Sequence, residues 1–391
     1  METDILIVGS GCSGLYLALH LPDNFQVTVI TKKGLEDSDS YLAQGGMCML
    51  KDEADYDSYF EDTMKAGHYE NDKGSVEIMI RSSKDVVNDL VSYGVDFQKN
   101  PDGSFAFTRE GGHSANRILY HKDITGREIT SHILAQVQKK ANIKLMEYTE
   151  LMDLLVEDNR CLGGIVKHGQ ETMDIRAKVT VLATGGIGGM YPHSTNYRHL
   201  TGDAIRMAKE HGIATRNLDY VQIHPTTFYT KEDERSFLIS ESVRGEGAKL
   251  LDVNGNRFVD ELLPRDVVTK AIYEQMEKDG TEFVWEDLTG IPAEELKLHF
   301  PNIVSYCQDK GYDVTKQWIP VVPAQHYFMG GIAVDYDSAT SMDKLYAVGE
   351  TACNGVHGKN RLASNSLLES LVFAGRAAKK IREKDLVNLE N

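Results

Sequence analysis

The sequence predicts an α/β fold in which one Rossmann-type dinucleotide-binding domain is built from two separated segments of chain, with an α+β domain inserted between them. Three observations predict it. The chain opens on a strand, a glycine-rich turn, a helix and a second strand; an apolar strand at residues 179–183 runs into Thr184-Gly185-Gly186; and the strand-to-glycine pattern returns at residues 344–350 after a long interval of different character.

In the opening unit, Asp4-Ile5-Leu6-Ile7-Val8 reads as a buried strand, residues 15–21 as an amphipathic helix and residues 26–31 as a second strand. Between them lies Gly9-Ser10-Gly11-Cys12-Ser13-Gly14. Gly9 permits the tight turn, Gly11 lets backbone approach a pyrophosphate, and Gly14 lets helix and strand pack closely, while free N–H groups at the helix N-terminus favour phosphate oxygens. The acid that often follows about 20 residues on, for ribose hydroxyls, is replaced by Thr31-Lys32-Lys33, which makes NAD the less expected dinucleotide.

Residues 34–46 form a polar stretch ending in Ala43-Gln44-Gly45-Gly46, whose small residues suit close contact with a ligand. Helical apolar spacing marks residues 56–66 and 75–94 (Val76, Ile80, Val86, Val87, Leu90), which read as packing helices. The turn-rich residues 99–103 and the polar loop 108–114 precede a helix over about 126–140. Short strands are expected through residues 143–183. Thr201-Gly202-Asp203-Ala204 opens another helix, with the aspartate at its favourable N-terminal end. Residues 219–325 change to hairpins and short helices, including a turn at Asn254-Gly255, and are assigned to the inserted domain. Residues 1–218 and 326–391 are then the two segments of the cofactor domain, the second closing on a helix at 366–380 and a charged tail.

With 391 residues and 41% hydrophobic content, the chain can bury a large core in two or three domains. Acidic residues outnumber basic ones by 59 to 42, a formal net charge of −17, which disfavours nucleic acid and anionic membranes as partners. The start carries no basic targeting region and no run of about 18 apolar residues occurs, so a cytoplasmic, unanchored protein is expected. Five scattered cysteines (Cys12, Cys48, Cys161, Cys307, Cys353) form no C-x-x-C pair and read as reduced, buried thiols; no metal site is expected.

Four signals thus stand in fixed order: residues 9–14, 43–46, 183–186, and Gly349-Glu350 with Gly358-Lys359-Asn360-Arg361-Leu362-Ala363-Ser364-Asn365-Ser366. Together with Gln222-Ile223-His224-Pro225-Thr226, Arg244-Gly245-Glu246-Gly247 and Pro264-Arg265-Asp266, they closely resemble the flavoprotein family containing L-aspartate oxidase, fumarate reductase and succinate dehydrogenase, over nearly the whole chain. Within that family, Arg109-Glu110-Gly111-Gly112-His113-Ser114 resembles the L-aspartate oxidase version, and the Thr31-Lys32 ending suits it.

The resemblance implies an FAD-binding domain with residues 219–325 as its cap. It implies FAD held by Gly9, Ser10, Gly11, Cys12, Ser13, Gly14, Lys32, Asp39, Ser40, Ala43, Gln44, Gly45, Gly46, Thr184, Gly185, Gly186, Asp203, Glu350, Ser366 and Leu367. Asp39 stands where the membrane-associated dehydrogenases carry the histidine that bonds covalently to the flavin, so noncovalent FAD is implied. Longer relatives continue into a helical C-terminal domain, which this chain is expected to lack or to receive from another chain.

The implied reaction is oxidation of L-aspartate to iminoaspartate with oxygen or fumarate as electron acceptor, the first step of NAD biosynthesis through quinolinate, with quinolinate synthase as the downstream partner. A soluble fumarate reductase or succinate dehydrogenase-type flavoprotein is the alternative. A four-carbon dicarboxylate needs cationic or donor groups at both ends. By resemblance, Arg361 with His326 holds one carboxylate, His224 and Ser240 donate to the other, and Gln222 joins them. Glu110 is expected to pair with the substrate ammonium, since a carboxylate there repels a dicarboxylate lacking the amine. Arg265 is implied as the proton carrier at the reacting centre, with Glu241 and Arg244 as its relay, because an arginine with pKa above about 12 needs neighbours to pass a proton on.

Overall fold

The computed structural model describes residues 1–232 and 234–386; the end of the charged tail lies outside the described residues. Its larger sheet has seven strands, ordered Ile143–Met146, Val27–Ile30, Glu2–Val8, Glu171–Leu182, Arg160–His168 and Thr149–Glu157, with Leu345–Ala347 also paired to Glu171–Leu182. The long strand Glu171–Leu182 serves two neighbourhoods. Its first half closes an antiparallel meander, Glu171 to Arg176 opposite His168 to Gly163. Its second half lies in parallel register between Ile5–Val8 and Leu345–Ala347. That second half, Val179-Thr180-Val181-Leu182, is fully buried, as expected of a parallel strand covered on both faces.

Period-two alternation sends the opening strand into two cores. Ile5 and Ile7 join the cluster under the helices Cys12–Leu19, Thr125–Val137 and Ser366–Lys380, whereas Leu6 and Val8 join the opposite cluster with Ala204, Met207 and Ala208 of the helix Asp203–Glu210. Strands contributed from both ends of the chain therefore share one sheet, which is the two-segment α/β architecture expected.

The inserted region has its own sheet, antiparallel in the order Val221–Phe228, Ile319–Phe328, Val284–Asp287 and Lys249–Leu251. It also has its own apolar cluster, from Phe228 to Val321, packed on the helix Arg265–Asp279 through Val268 and Ile272. The single helix expected over 75–94 is a correction: it is two helices, Lys73–Arg81 and Ser83–Ser92. At the break, the Ser83 hydroxyl donates to the Ile80 carbonyl and accepts from the Leu50 N–H, satisfying groups that a continuous helix would not need. All five cysteines are free and buried. Among the described residues, no helix is long and apolar enough to cross a membrane and no metal-ligand cluster occurs.

Candidate active site

A cavity opens at the carboxyl ends of the parallel strands. Gly9, Ser10, Gly11, Cys12 and Ser13 line one end of it. Gly9 has φ +121°, and a Cβ there would sit 2.0 Å from the Ala183 carbonyl oxygen, so the turn requires glycine. The helix Cys12–Leu19 begins at Gly11 without a side-chain cap, leaving its N-terminal N–H groups directed to the cavity end, except that of Cys12, which donates to Ser40 Oγ at 2.9 Å. Gly14 does not line the cavity. A Cβ there would meet the Gly9 carbonyl at 2.3 Å, so its part is the close packing of helix on strand.

Lys32, Asp39, Ser40, Thr184, Gly185, Asp203, Glu350, Ser366 and Leu367 also line the cavity. Lys32 is already engaged there: its ammonium lies 2.9 Å from Asp203 and 3.1 Å from Glu150. Glu150, on the strand Thr149–Glu157, thus brings a carboxylate to the end of the second strand, where sequence spacing found none. Asp39 accepts the Tyr197 N–H at 2.9 Å through Oδ1, while Oδ2, Gln44 Oε1 and Asn196 Oδ1 are buried without hydrogen-bond partners among the described residues. Burial pushes the Asp39 carboxyl up to about 7 and the Glu350 carboxyl up to about 8. An uncapped helix N-terminus, a glycine turn and the orphaned buried oxygens of Asp39 and Asn196 on one cavity fit a flavin dinucleotide.

Ala43 and Gln44 face a neighbouring cavity that also meets Asp39 and His326. Gly45 and Gly46 turn to other work. A Cβ on Gly45 would lie 2.8 Å from Glu110 Oε1, and the Gly46 N–H donates to Ser364 Oγ at 3.2 Å. Gly186 packs on Glu350, whose Oε1 would lie 2.3 Å from an added Cβ.

His326 and Arg361 also line the main cavity. His326 lies on the strand Ile319–Phe328, which pairs irregularly with Val221–Phe228. Gln222 faces Tyr327 and Ile223 faces Gln325, so His326 is the extra residue of one bulge; a second irregularity falls between His224 and Thr227, at Pro225, which has no N–H to give the ladder. These bulges bring the two imidazoles together, with ring centroids 5.0 Å apart. The His224 ring is fully buried and the His326 side chain half-buried at the cavity wall, and both lie near cations. Burial and the neighbouring guanidinium groups of Arg265 and Arg244, with His326, hold His224 well below the usual histidine value; burial, Arg361 and Arg265 do the same for His326. Both are neutral hydrogen-bonding groups at pH 7. His326 Nδ1 is fixed by Thr195 Oγ1 at 2.7 Å, and Thr226 meets His224 Nδ1, leaving His224 Nε2 buried without a partner.

Gln222 holds the two arginines apart. Its amide nitrogen donates to Asn360 Oδ1 at 2.8 Å and to the Arg361 carbonyl at 2.7 Å, which fixes the orientation of the group. Its Oε1 then accepts from Arg265 Nη1 at 2.9 Å and from Arg361 Nε at 3.3 Å. The two cations differ in their partners. Arg265 donates to Glu241 Oε2 at 2.6 Å. Arg361, 5% exposed, has only neutral acceptors among the described residues, Gln222 and Ser366, and its guanidinium lies 4.3 Å from the Tyr327 ring centroid. Burial and nearby Arg265 pull Arg361 down to about 10. A buried cation without a carboxylate partner marks the place of an anion.

Behind this clamp the remaining predicted residues form one network. Glu241 lies between Arg265 and Arg244, whose Nη2 is 3.7 Å from Glu241 Oε1. Burial raises the Glu241 carboxyl, but the two arginines outweigh it and hold the pKa below the ordinary glutamate value. Ser240 caps the helix Glu241–Gly245 by accepting from Ser242 N–H. Its hydroxyl donates to Ser242 Oγ at 3.1 Å, and Ser242 in turn donates to Glu110 Oε1 at 2.6 Å. Glu110 Oε2 accepts from Ser364 at 2.5 Å. Burial and the charge of Glu241 raise the Glu110 pKa above the ordinary value. Its hydrogen-bond donors among the described residues are two neutral hydroxyls, and Arg265 offsets its charge only at a distance. Ser242, Ser364, Asn360, Thr195, Tyr327 and Glu150 were not singled out from sequence. Ser364 and Asn360 lie inside the run 358–366, and Ser242 beside Glu241, so the motifs pointed to them without giving their partners.

Residues 4–367 match the family model described as FAD binding domain. The chain is 50% identical over 379 residues to an L-aspartate oxidase of Clostridium perfringens, covering 97% of this chain and 86% of that one. It is 48% identical over 382 residues to an L-aspartate oxidase of Clostridium acetobutylicum, covering 97% and 88%. Among solved structures, an E. coli quinol fumarate reductase carrying a substitution in its FrdA chain superposes with a TM-score of 0.93 at 29% identity, over 99% of this chain and 71% of that one.

Proposed function

This chain belongs to the L-aspartate oxidase family of FAD-binding flavoproteins, and from that premise we propose how its own residues oxidise L-aspartate to iminoaspartate. FAD held by the residues lining the main cavity would supply the acceptor for the hydride that leaves the substrate Cα, with oxygen or fumarate as the final electron acceptor. The chain supplies the rest. Arg361 and His326 bind one substrate carboxylate, and His224 with Ser240 takes the other. Glu110 attracts the ammonium. Arg265, held by Gln222 and Glu241, moves the proton at the reacting centre, and Glu241 with Arg244 exchanges it outward. Buried Arg361, paired among the described residues only with neutral groups, is the observation that carries this reading: a substrate carboxylate completes a charge arrangement the protein leaves open.

The same proposal assigns FAD to the residues lining the main cavity, without a covalent bond, because a carboxylate at position 39 cannot form the imidazole linkage. It divides the chain into 1–218, 219–325 and 326–391, supported by the separate apolar cluster of the inserted region. It places the protein in the cytoplasm, with quinolinate synthase as the consumer of iminoaspartate. Anaerobic mixing tests it: L-aspartate bleaches the flavin, and oxygen or fumarate restores the colour. Faster bleaching by succinate than by aspartate would instead assign the chain to fumarate and succinate chemistry.

A further inference from the structure

The loop that carries Glu110 is gripped from behind by a second buried cation, Arg117, which is fully buried and spends all five of its N–H groups. Nε donates to Asp55 Oδ2 at 3.2 Å, and Nη2 donates to Asp55 Oδ1 at 2.9 Å and to Ser58 Oγ at 2.8 Å. Nη1 donates to Asp62 Oδ2 at 2.6 Å and to His113 Nδ1 at 3.0 Å. A guanidinium has no lone pair to offer, so His113 Nδ1 is the acceptor and the ring proton sits on Nε2. That proton is donated to the Ala363 carbonyl at 2.9 Å. Burial pushes the His113 pKa down to about 4, outweighing its bond to Ala363, and Arg117 adds to the fall, so the ring is neutral at pH 7.

Both arms of this bracket end at Glu110. On the loop side, the His113 N–H closes onto the Glu110 carbonyl at 3.3 Å, and Asp62 accepts from the Ser114 N–H at 2.7 Å and from its hydroxyl at 2.8 Å. On the other side, Ala363 precedes Ser364, whose hydroxyl donates to Glu110 Oε2 at 2.5 Å. Ser364 has φ +62°, a left-handed conformation that a residue with a side chain keeps only when its surroundings hold it there. Its two neighbours supply that hold: Ala363 is bonded to His113, and Asn365 Oδ1 accepts from the Tyr59 hydroxyl at 2.7 Å. Ser58, Tyr59 and Asp62 all lie on the helix Tyr56–Ala66, so one helix fixes both the Glu110 loop and its hydroxyl donor. We infer that His113, locked by Arg117, is a positioning residue for substrate choice: it sets Ser364, and through Ser364 the Glu110 carboxylate, in the orientation that meets the ammonium of an amino-dicarboxylate. This deepens the proposed function and rests on Glu110 reading that ammonium. Both ring nitrogens of His113 are spent on protein groups, so it reaches the substrate only through Glu110.

His113→Phe keeps a ring and removes both nitrogens. In the FAD-loaded protein, kcat/KM for aspartate is expected to fall about tenfold more than that for succinate, as when one hydrogen bond to a charged group loses its alignment. His113→Gln, whose amide can still donate to Ala363, should restore most of the ratio. Added to Glu110→Gln, His113→Phe should change the ratio no further, because the group it positions is already gone; a merely structural residue would add its own loss. Equal losses for the two substrates from His113→Phe, where Glu110→Gln alone does shift the ratio, would overturn the positioning role. An unshifted ratio in Glu110→Gln would overturn the proposed reading of the ammonium, and this inference with it. Should His113→Phe fail to fold, nitrogen-15 spectra of the wild-type histidines decide. The His113 signal, identified by its loss in His113→Gln, is expected to be that of a neutral ring protonated at Nε2 at pH 7; protonation at Nδ1, or a charged ring, would overturn the lock.

Discussion

Replacing Glu110 by glutamine isolates the charge that distinguishes an amino-dicarboxylate from a plain dicarboxylate. The structure makes this a mild change to the fold. Glu110 accepts from Ser242 at 2.6 Å and Ser364 at 2.5 Å, and a glutamine amide keeps one acceptor while its NH2 finds the second hydroxyl, which can turn to accept. What disappears is a buried negative charge that no neighbouring cation neutralises at hydrogen-bond distance. A hydrogen bond to a charged group contributes about 1.5–3 kcal/mol, so aspartate should lose roughly 10- to 150-fold in kcat/KM relative to succinate or fumarate. The sign with pH follows from the raised Glu110 pKa: only the ionised carboxylate attracts the ammonium, so aspartate efficiency falls as pH drops through that pKa, and Glu110→Gln removes this limb. Steady-state rates with aspartate and succinate, using one artificial electron acceptor across a pH series, measure both effects. Equal losses for the two substrates would refute the reasoning and leave Glu110 as a loop-shaping residue held by two serines.

Arg265→Leu should keep FAD and lower turnover on aspartate and fumarate alike by several orders of magnitude; near-normal kcat with only a raised KM would contradict its role. Arg361→Leu should instead weaken dicarboxylate binding strongly, seen as a raised KM and loss of succinate inhibition. Acid precipitation should release yellow flavin into the supernatant, and flavin retained on the pellet would show a covalent link. Glu286, fully buried on the strand Val284–Asp287 of the inserted domain, makes a stability prediction: between the ordinary glutamate pKa of about 4.5 and about 8 the folded state holds a proton that the unfolded state has lost, so its contribution worsens as pH rises, by about 1.4 kcal/mol per unit. Urea unfolding of wild type and Glu286→Gln should therefore diverge across that window, the variant being less sensitive to rising pH, and parallel curves would show that Glu286 is ionised in the fold.

The legible parts of this molecule were those set by local spacing. The strand and turn at residues 5–14 declare themselves because glycine is needed where φ is +121° and where Gly14 meets the Gly9 carbonyl. The helix Ser366–Lys380 follows from apolar periodicity. Register between distant strands was not legible. Nothing in Gln325-His326-Tyr327 says that His326 will be the bulged residue between the partners of Gln222 and Ile223, because that depends on a strand about a hundred residues earlier. Glu150 escaped for the same reason: it reaches Lys32 from a different strand of the sheet. Glu286 was hidden by alternation. In Val284-Trp285-Glu286 the first and third residues share a face, and that face is the buried one, a position where sequence pattern leads one to expect an apolar side chain.

In the proposed reaction the two arginines divide the work because their partners differ. Both are buried and both donate to the single oxygen Gln222 Oε1, so they repel each other across one neutral acceptor. Glu241, 2.6 Å away, neutralises Arg265 in the resting protein, and a substrate gains little by merely pairing with it. Arg361 has no such relief, which is why nearby Arg265 and burial lower its hold on its proton. A carboxylate arriving at Arg361 satisfies a charge already desolvated, so binding energy concentrates there. Arg265, with its charge shared with Glu241 and through it with Arg244, is free to answer a change of protonation at the reacting carbon. Gln222 serves both: its NH2 is locked by Asn360 and the Arg361 carbonyl, so its oxygen stays turned to the two guanidinium groups.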